Sequence, residues 1–152
     1  MTVVIRSVRD IYTLLPTEED ARCFLEALLW PEGRLCPHCG STESTALRGS
    51  SVRPGLYQCR QRACRRQFTV TTRTPMHATK LELRTWILAF FLVLNASKGI
   101  SSVVLARHLG ITQKAAWRIG HAIRELMASE GASSERLSGI VEVDEGAMRD
   151  FG

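Results

Sequence analysis

Two cysteine pairs, Cys36-x2-Cys39 and Cys59-x4-Cys64, constrain this chain more than any other feature. Each short spacing lets one turn bring two thiolates to a shared ion, about 2.3 Å from a tetrahedral Zn²⁺. The nineteen residues between the pairs include Gly49, Pro54 and Gly55, which suit a hairpin that brings the two turns together. Gly40, directly after the first pair, suits a tight turn whose backbone N–H groups face the sulfurs. The total of five cysteines is odd, and the first fifteen residues carry Arg6, Arg9 and Asp10 rather than an apolar core. Both facts argue against a secreted disulfide framework, and a cytoplasmic setting is expected.

This is the pattern of a zinc ribbon, a fold too small to stand without its metal. Structural zinc contributes on the order of 10–16 kcal/mol in comparable peptides, enough to fold such a segment outright. Four thiolates close the shell and leave no position for water, so the metal is expected to be structural. The alternative is four unrelated buried thiols. His38 and His77 could ligate in principle, but a complete cysteine set makes both bystanders. Cys23 is expected as a small core residue on an amphipathic helix.

Around the cysteines the pattern predicts an α+β chain. Thr17 caps a helix whose first turn holds Glu18, Glu19 and Asp20, where the helix dipole favours acids. Ala21, Phe24, Leu25, Leu28 and Leu29 follow at helical spacing, and Trp30-Pro31 ends the helix. Residues 56–59 and 67–72 read as short strands. Thr79 caps an apolar helix running to Lys98-Gly99, and two shorter helices are expected at 101–108 and 112–129. Residues 131–134 are a candidate linker and 139–145 a last strand. The domains expected are an N-terminal helical segment (1–33), the ribbon (34–75), a helical domain (78–130) and the start of a further domain (138–152). The longest apolar run, Trp86–Leu94, has nine residues, far short of the ~18–20 that span a bilayer. No membrane association is expected.

Net charge is +5, but it is unevenly distributed. Residues 1–43 hold four basic and seven acidic side chains (−3), residues 44–124 fourteen and one (+13), and residues 125–152 two and seven (−5). A basic centre between acidic ends is the footprint of a polyanion binder. Arg60, Arg62, Arg65, Arg66 and Arg73 crowd the second cysteine pair, where they could grip phosphates.

Residues 101–126 read as a helix-turn-helix. Small Ala106 allows a close crossing, Gly110 takes a left-handed turn and Thr112 caps the second helix. Ala116, Ile119, Ile123 and Leu126 form the inward stripe. Gln113, Lys114, Trp117, Arg118, His121 and Arg124 are left outside, and arginine and glutamine can bond base edges bidentately. The alternative is a plain helical hairpin in a structural bundle. In the last strand, alternation puts Glu142 and Asp144 on one face.

Taken in order, CPHCG, YQC…CRRQFTVTTRT, an apolar helix, KGISSVVLARHLGITQKAAWRIGHAIREL and GIVEVDE resemble one family over about Ala21 to Glu145. It is that of bacterial insertion-sequence transposases with an N-terminal transposase zinc ribbon and a DDE catalytic domain. The resemblance implies that Asp144 is the first carboxylate of a ribonuclease-H-like domain. It also implies that two more carboxylates lie well downstream, jointly holding two Mg²⁺ ions about 3.5–4 Å apart. After Glu145 the sequence departs from the family pattern, and Asp150 is too near to be the second carboxylate. With only the first strand of that domain in the 152 residues, these residues alone are expected not to catalyse transposition. Mg²⁺ is expected only in a full-length relative.

The resulting expectation is a DNA-binding transposase N-terminal portion, partnered by double-stranded DNA at terminal inverted repeats, with self-association left open. Two alternatives stand beside it: a stand-alone zinc-ribbon and helix-turn-helix DNA-binding regulator, or an adaptor whose basic ribbon meets an acidic protein.

Overall fold

The computed structural model describes residues 4–130. The linker expected at 131–134 and the strand expected at 139–145, with Asp144, lie outside the described residues. Among those described, five helices and three strands run in the order α1 (Val8–Leu14), α2 (Glu18–Leu29), β1 (Ser44–Ala46), β2 (Tyr57–Cys59), β3 (Gln67–Phe68), α3 (Leu83–Asn95), α4 (Ser102–Leu109) and α5 (Gln113–Glu130). The described residues divide into two units, 7–88 and a second made of 4–6 with 89–130, with a boundary inside α3. No described helix is long and apolar enough to cross a membrane.

In the first unit, α1 and α2 begin with the same device. Ser7 and Thr17 accept from the backbone N–H of Asp10 and Asp20, whose carboxylates accept in return from the cap N–H groups. Two otherwise unsatisfied donors are thereby bonded reciprocally at each helix start. The Ser7-x2-Asp10 box was the sequence signal for α1, a helix the apolar pattern did not reveal. Ile11 is its buried residue, and the Leu15 that caps its C-terminus is buried as well.

Along α2 the inward stripe is Ala21 and Leu25, while Phe24 and Leu28 are half-buried and Leu29 is exposed. Cys23 is exposed, not a core residue. It sits about 200° around the helix from Ala21, on the opposite side from the buried stripe.

The sheet is antiparallel with order β1-β2-β3. Ser44 pairs with Cys59 and Ala46 with Tyr57, while Tyr57 pairs in turn with Phe68. The 44–46 strand was not expected, and the 67–72 strand is shorter than expected. It stops at Phe68 because the threonines that follow bond locally: Thr69 N–H donates to the Thr72 hydroxyl at 2.9 Å, and the Thr69 hydroxyl meets that of Thr71 at 3.0 Å. Hydroxyls so placed offer the backbone a turn in place of a ladder.

The start of α3 also differs from expectation. Thr79 does not cap it; its hydroxyl accepts from Leu81 N–H and from Trp86 Nε1. The cap comes from 65 residues away, where the Glu18 carboxylate accepts from Leu83 N–H at 2.8 and 3.0 Å. Arg84 returns the link by donating to Pro16 O at 2.9 Å. A carboxylate on a helix N-terminus is favoured by both hydrogen bonding and the dipole. Glu18→Gln, which keeps the shape and removes the charge, should lower stability by about 1 kcal/mol. A shift in the urea midpoint with unchanged slope would show it. At its other end α3 stops at Asn95, before Lys98-Gly99, and Gly99 takes a left-handed turn at φ 78°.

In the second unit, Ser101 caps α4, and Gly110 ends it at φ 65°, ψ 34°. The Thr112 hydroxyl accepts from Ala115 N–H at the start of α5. Leu105, Ala106, Ala116, Ile119 and Ile123 are buried between the two helices, and Leu126 is half-buried. Gly120, a position the apolar pattern passed over, lies at this crossing: a Cβ there would stand 3.6 Å from Leu105 Cδ2.

Candidate metal centre and basic surface

The four ribbon cysteines converge. Their Sγ atoms all lie within 4.8 Å of one another, with Cys36–Cys64 at 3.8 Å and Cys39–Cys59 at 3.5 Å. A tetrahedral zinc with 2.3 Å bonds needs sulfur–sulfur edges of about 3.8 Å. A disulfide would bring two sulfurs to about 2.05 Å. The donor set therefore fits one structural Zn²⁺ and closes its shell. His38 and His77 stand outside the cluster.

Two backbone turns of matching design build the site. In the first, Gly40 N–H donates to Cys36 O at 2.8 Å and Cys36 N–H to Ser41 O at 2.9 Å. In the second, Arg65 N–H donates to Gln61 O at 3.0 Å and Cys59 N–H to Arg66 O at 3.0 Å. The residue after the second cysteine of each pair is left-handed, Gly40 at φ 75° and Arg65 at φ 49°. Glycine adopts that conformation without strain and arginine does so at a cost.

Backbone N–H groups point at the sulfurs, as expected for this turn. Burial raises the Cys36 thiol, yet the N–H groups of His38 and Cys39, together with the Cys39 and Cys64 side chains, outweigh it and hold its pKa below the ordinary value. At Cys39 the N–H of Ser41 lowers the pKa, but burial and the neighbouring sulfurs of Cys36 and Cys64 prevail and raise it. Burial first, then the crowd of sulfurs, pushes Cys59 up to about 12. At Cys39 and Cys59, where the thiol is pushed up, zinc binding must displace a proton.

Beneath the site lies a small core of Cys36, Tyr57, Cys59 and Phe68, flanked by Trp30, Ala46 and Cys64. Two of its four buried residues are themselves ligands. Trp30 meets Tyr57 and Phe68 edge-on at 6.0 Å each, and Arg34 covers the Tyr57 ring at 3.7 Å.

A polar link that the sequence reading missed ties α2 to this core. Tyr57 OH donates to Glu26 Oε1 at 2.8 Å, and Arg22 bonds both Glu26 (2.6 Å) and Glu19. Burial, then the Glu26 carboxylate, raises the Tyr57 pKa. Arg22-x3-Glu26 was a readable helical pair, but nothing local announced Tyr57 as the third member. Gly55, at φ 75°, leaves room for Arg22: a Cβ there would sit 2.4 Å from Arg22 Cδ. Gly55→Ala should cost about 2 kcal/mol through left-handed strain and a displaced Arg22. Chemical denaturation of the zinc-loaded protein would measure this.

The basic surface follows the second turn. Arg60, Arg62, Arg65 and Arg66 are all exposed, spread along the segment that supplies Cys59 and Cys64. On α5, Gln113, Lys114, Trp117, Arg118, His121 and Arg124 are also all exposed. At 100° per residue they fall in an arc of about 140°, opposite the buried stripe. Arg124 spends one donor on Ile100 O at 2.9 Å, which fixes the segment leading into α4. Gln113 Nε2 lies 3.5 Å from Ser102 Oγ. From Ser101 to Arg124 the sequence contains no acid.

Residues 16–67, about a third of the chain, match the family model described as transposase zinc-ribbon domain. The match takes in α2, both cysteine turns and the sheet as far as the first residue of β3. No curated protein and no solved structure matches the chain.

Proposed function

We propose that this chain is the DNA-binding N-terminal portion of an insertion-sequence transposase, holding the terminal inverted repeats of its element. The observation that carries the reading is the match of residues 16–67 to a transposase zinc ribbon whose second turn displays four exposed arginines. In support, α4 and α5 form a helix pair with a left-handed glycine turn, and the outer face of α5 combines amide, cationic and aromatic side chains. In this reading the pair is a helix-turn-helix. Its second helix enters the major groove while Arg60, Arg62, Arg65 and Arg66 take phosphates. The resemblance further assigns Asp144 as the first carboxylate of a Mg²⁺-dependent catalytic domain. The domains follow as α1–α2, the ribbon and the helical segment, with the catalytic part beginning near 138.

The test is a competition gel shift with the zinc-loaded chain. Duplexes carrying the ends of the genetic element that encodes it should displace bound probe at concentrations at least tenfold below unrelated duplexes of equal length. Equal competition by all duplexes would remove terminal recognition from the account.

A further inference from the structure

Among the three tryptophans, Trp117 alone is held out toward solvent. Trp86 is buried with its Nε1–H on Thr79 at 3.1 Å, and Trp30 packs against Tyr57 and Phe68. Trp117 is 56% exposed on α5, yet its ring is not loose. It stacks on the His121 imidazole with centroids 5.2 Å apart and planes 7° from parallel, and His121 Nε2 lies 3.4 Å from Glu125 Oε1. The imidazole stacks on one side of the indole and sets its direction, while more than half of the residue's surface is open to solvent. Exposed Gln113, Lys114 and Arg118 flank it on the same helix.

We propose that Trp117, held flat by His121, is a specificity-determining residue that reads thymine 5-methyl groups in the major groove. The inference rests on the DNA-binding reading and names what α5 would recognise. Charge complementarity selects DNA as the occupant of this face, which carries Lys114, Arg118 and Arg124 against one acid, Glu125. In the major groove the base pairs present hydrogen-bond donors and acceptors and one apolar group, the thymine methyl. Gln113, Lys114 and Arg118 can satisfy the polar edges. The large apolar side chain among them gains by covering the apolar group, and a ring already fixed by stacking loses little freedom on binding. A base face is not offered by an intact duplex, so the exposed indole meets methyls rather than a stacked base. His121 is the positioning residue.

The experiment begins with the full zinc-loaded chain selecting a site from a random-sequence duplex pool. Each thymine of the selected site is then replaced in turn by deoxyuridine, which pairs identically but lacks the methyl. At one or two positions the wild-type chain should bind about three- to fivefold more weakly. Trp117→Ala should bind on the order of tenfold more weakly and no longer distinguish thymine from uracil there. His121→Ala should lose part of that discrimination, and His121→Phe, which keeps a flat ring, should restore it. Unchanged circular dichroism would confirm that these exposed substitutions leave the fold intact. Selection of a site at which every deoxyuridine is neutral, or discrimination retained in Trp117→Ala, overturns the role of Trp117 and leaves DNA binding standing. Failure to select any site overturns both.

Discussion

Stripping the metal should unfold the ribbon. Of the four fully packed residues beneath the site, Cys36 and Cys59 are ligands, which leaves Tyr57 and Phe68 as its only non-ligand members. A core of that size cannot hold three strands of three, three and two residues against chain entropy. Zinc, contributing on the order of 10–16 kcal/mol, is what makes the segment fold. A strong chelator, or Cys59→Ser, should therefore abolish the sheet and release the aromatic cluster of Trp30, Tyr57 and Phe68. Near-ultraviolet circular dichroism should lose its fine structure, and native mass spectrometry of the untreated chain should show one zinc per chain. Acid should act in the same direction. With Cys59 pushed up to about 12 in the metal-free site, zinc must displace its proton at neutral pH. Apparent zinc affinity should then fall by about tenfold per pH unit for each proton displaced, so the metal's stabilisation weakens as pH falls.

The second large effect concerns the arginines of the second cysteine turn. Replacing Arg60, Arg62 and Arg66 by glutamine, and left-handed Arg65 by asparagine to respect its φ of 49°, should leave the zinc site intact. DNA affinity should drop on the order of a hundredfold at moderate salt. The slope of log K against log salt should become shallower by about 0.9 for each phosphate contact removed. Affinity and slope unchanged in this quadruple variant would move the phosphate-binding surface off the ribbon.

Legibility from sequence tracked the range of the interactions. Cysteine spacing located the metal centre because two short loops must deliver two sulfurs each, a local constraint. The αL glycine at 110, the Thr17 cap and the stripe of Ala116, Ile119 and Ile123 were likewise local, and the structure has them where expected. Features made by residues far apart were not readable. The Glu18 cap on Leu83 spans 65 residues, and Tyr57 meets Glu26 across 31. Neither partner carries a mark of the other. Two local errors have local reasons. The threonines after Phe68 read as β-branched strand formers, yet their hydroxyls close turns. Cys23 read as core because cysteine is usually buried, whereas its helical angle from Ala21 places it outside.

DNA binding by the ribbon and α5 together is the central claim, and the salt dependence of affinity tests it most directly. The full zinc-loaded chain is titrated against a duplex from the ends of its element between 50 and 400 mM monovalent salt. Phosphate contacts from the four ribbon arginines predict a linear fall of log K with log salt, at a slope of about −3.6 or steeper. A slope near zero would contradict the account, because no surface built on those cations can hold DNA without displacing its counterions.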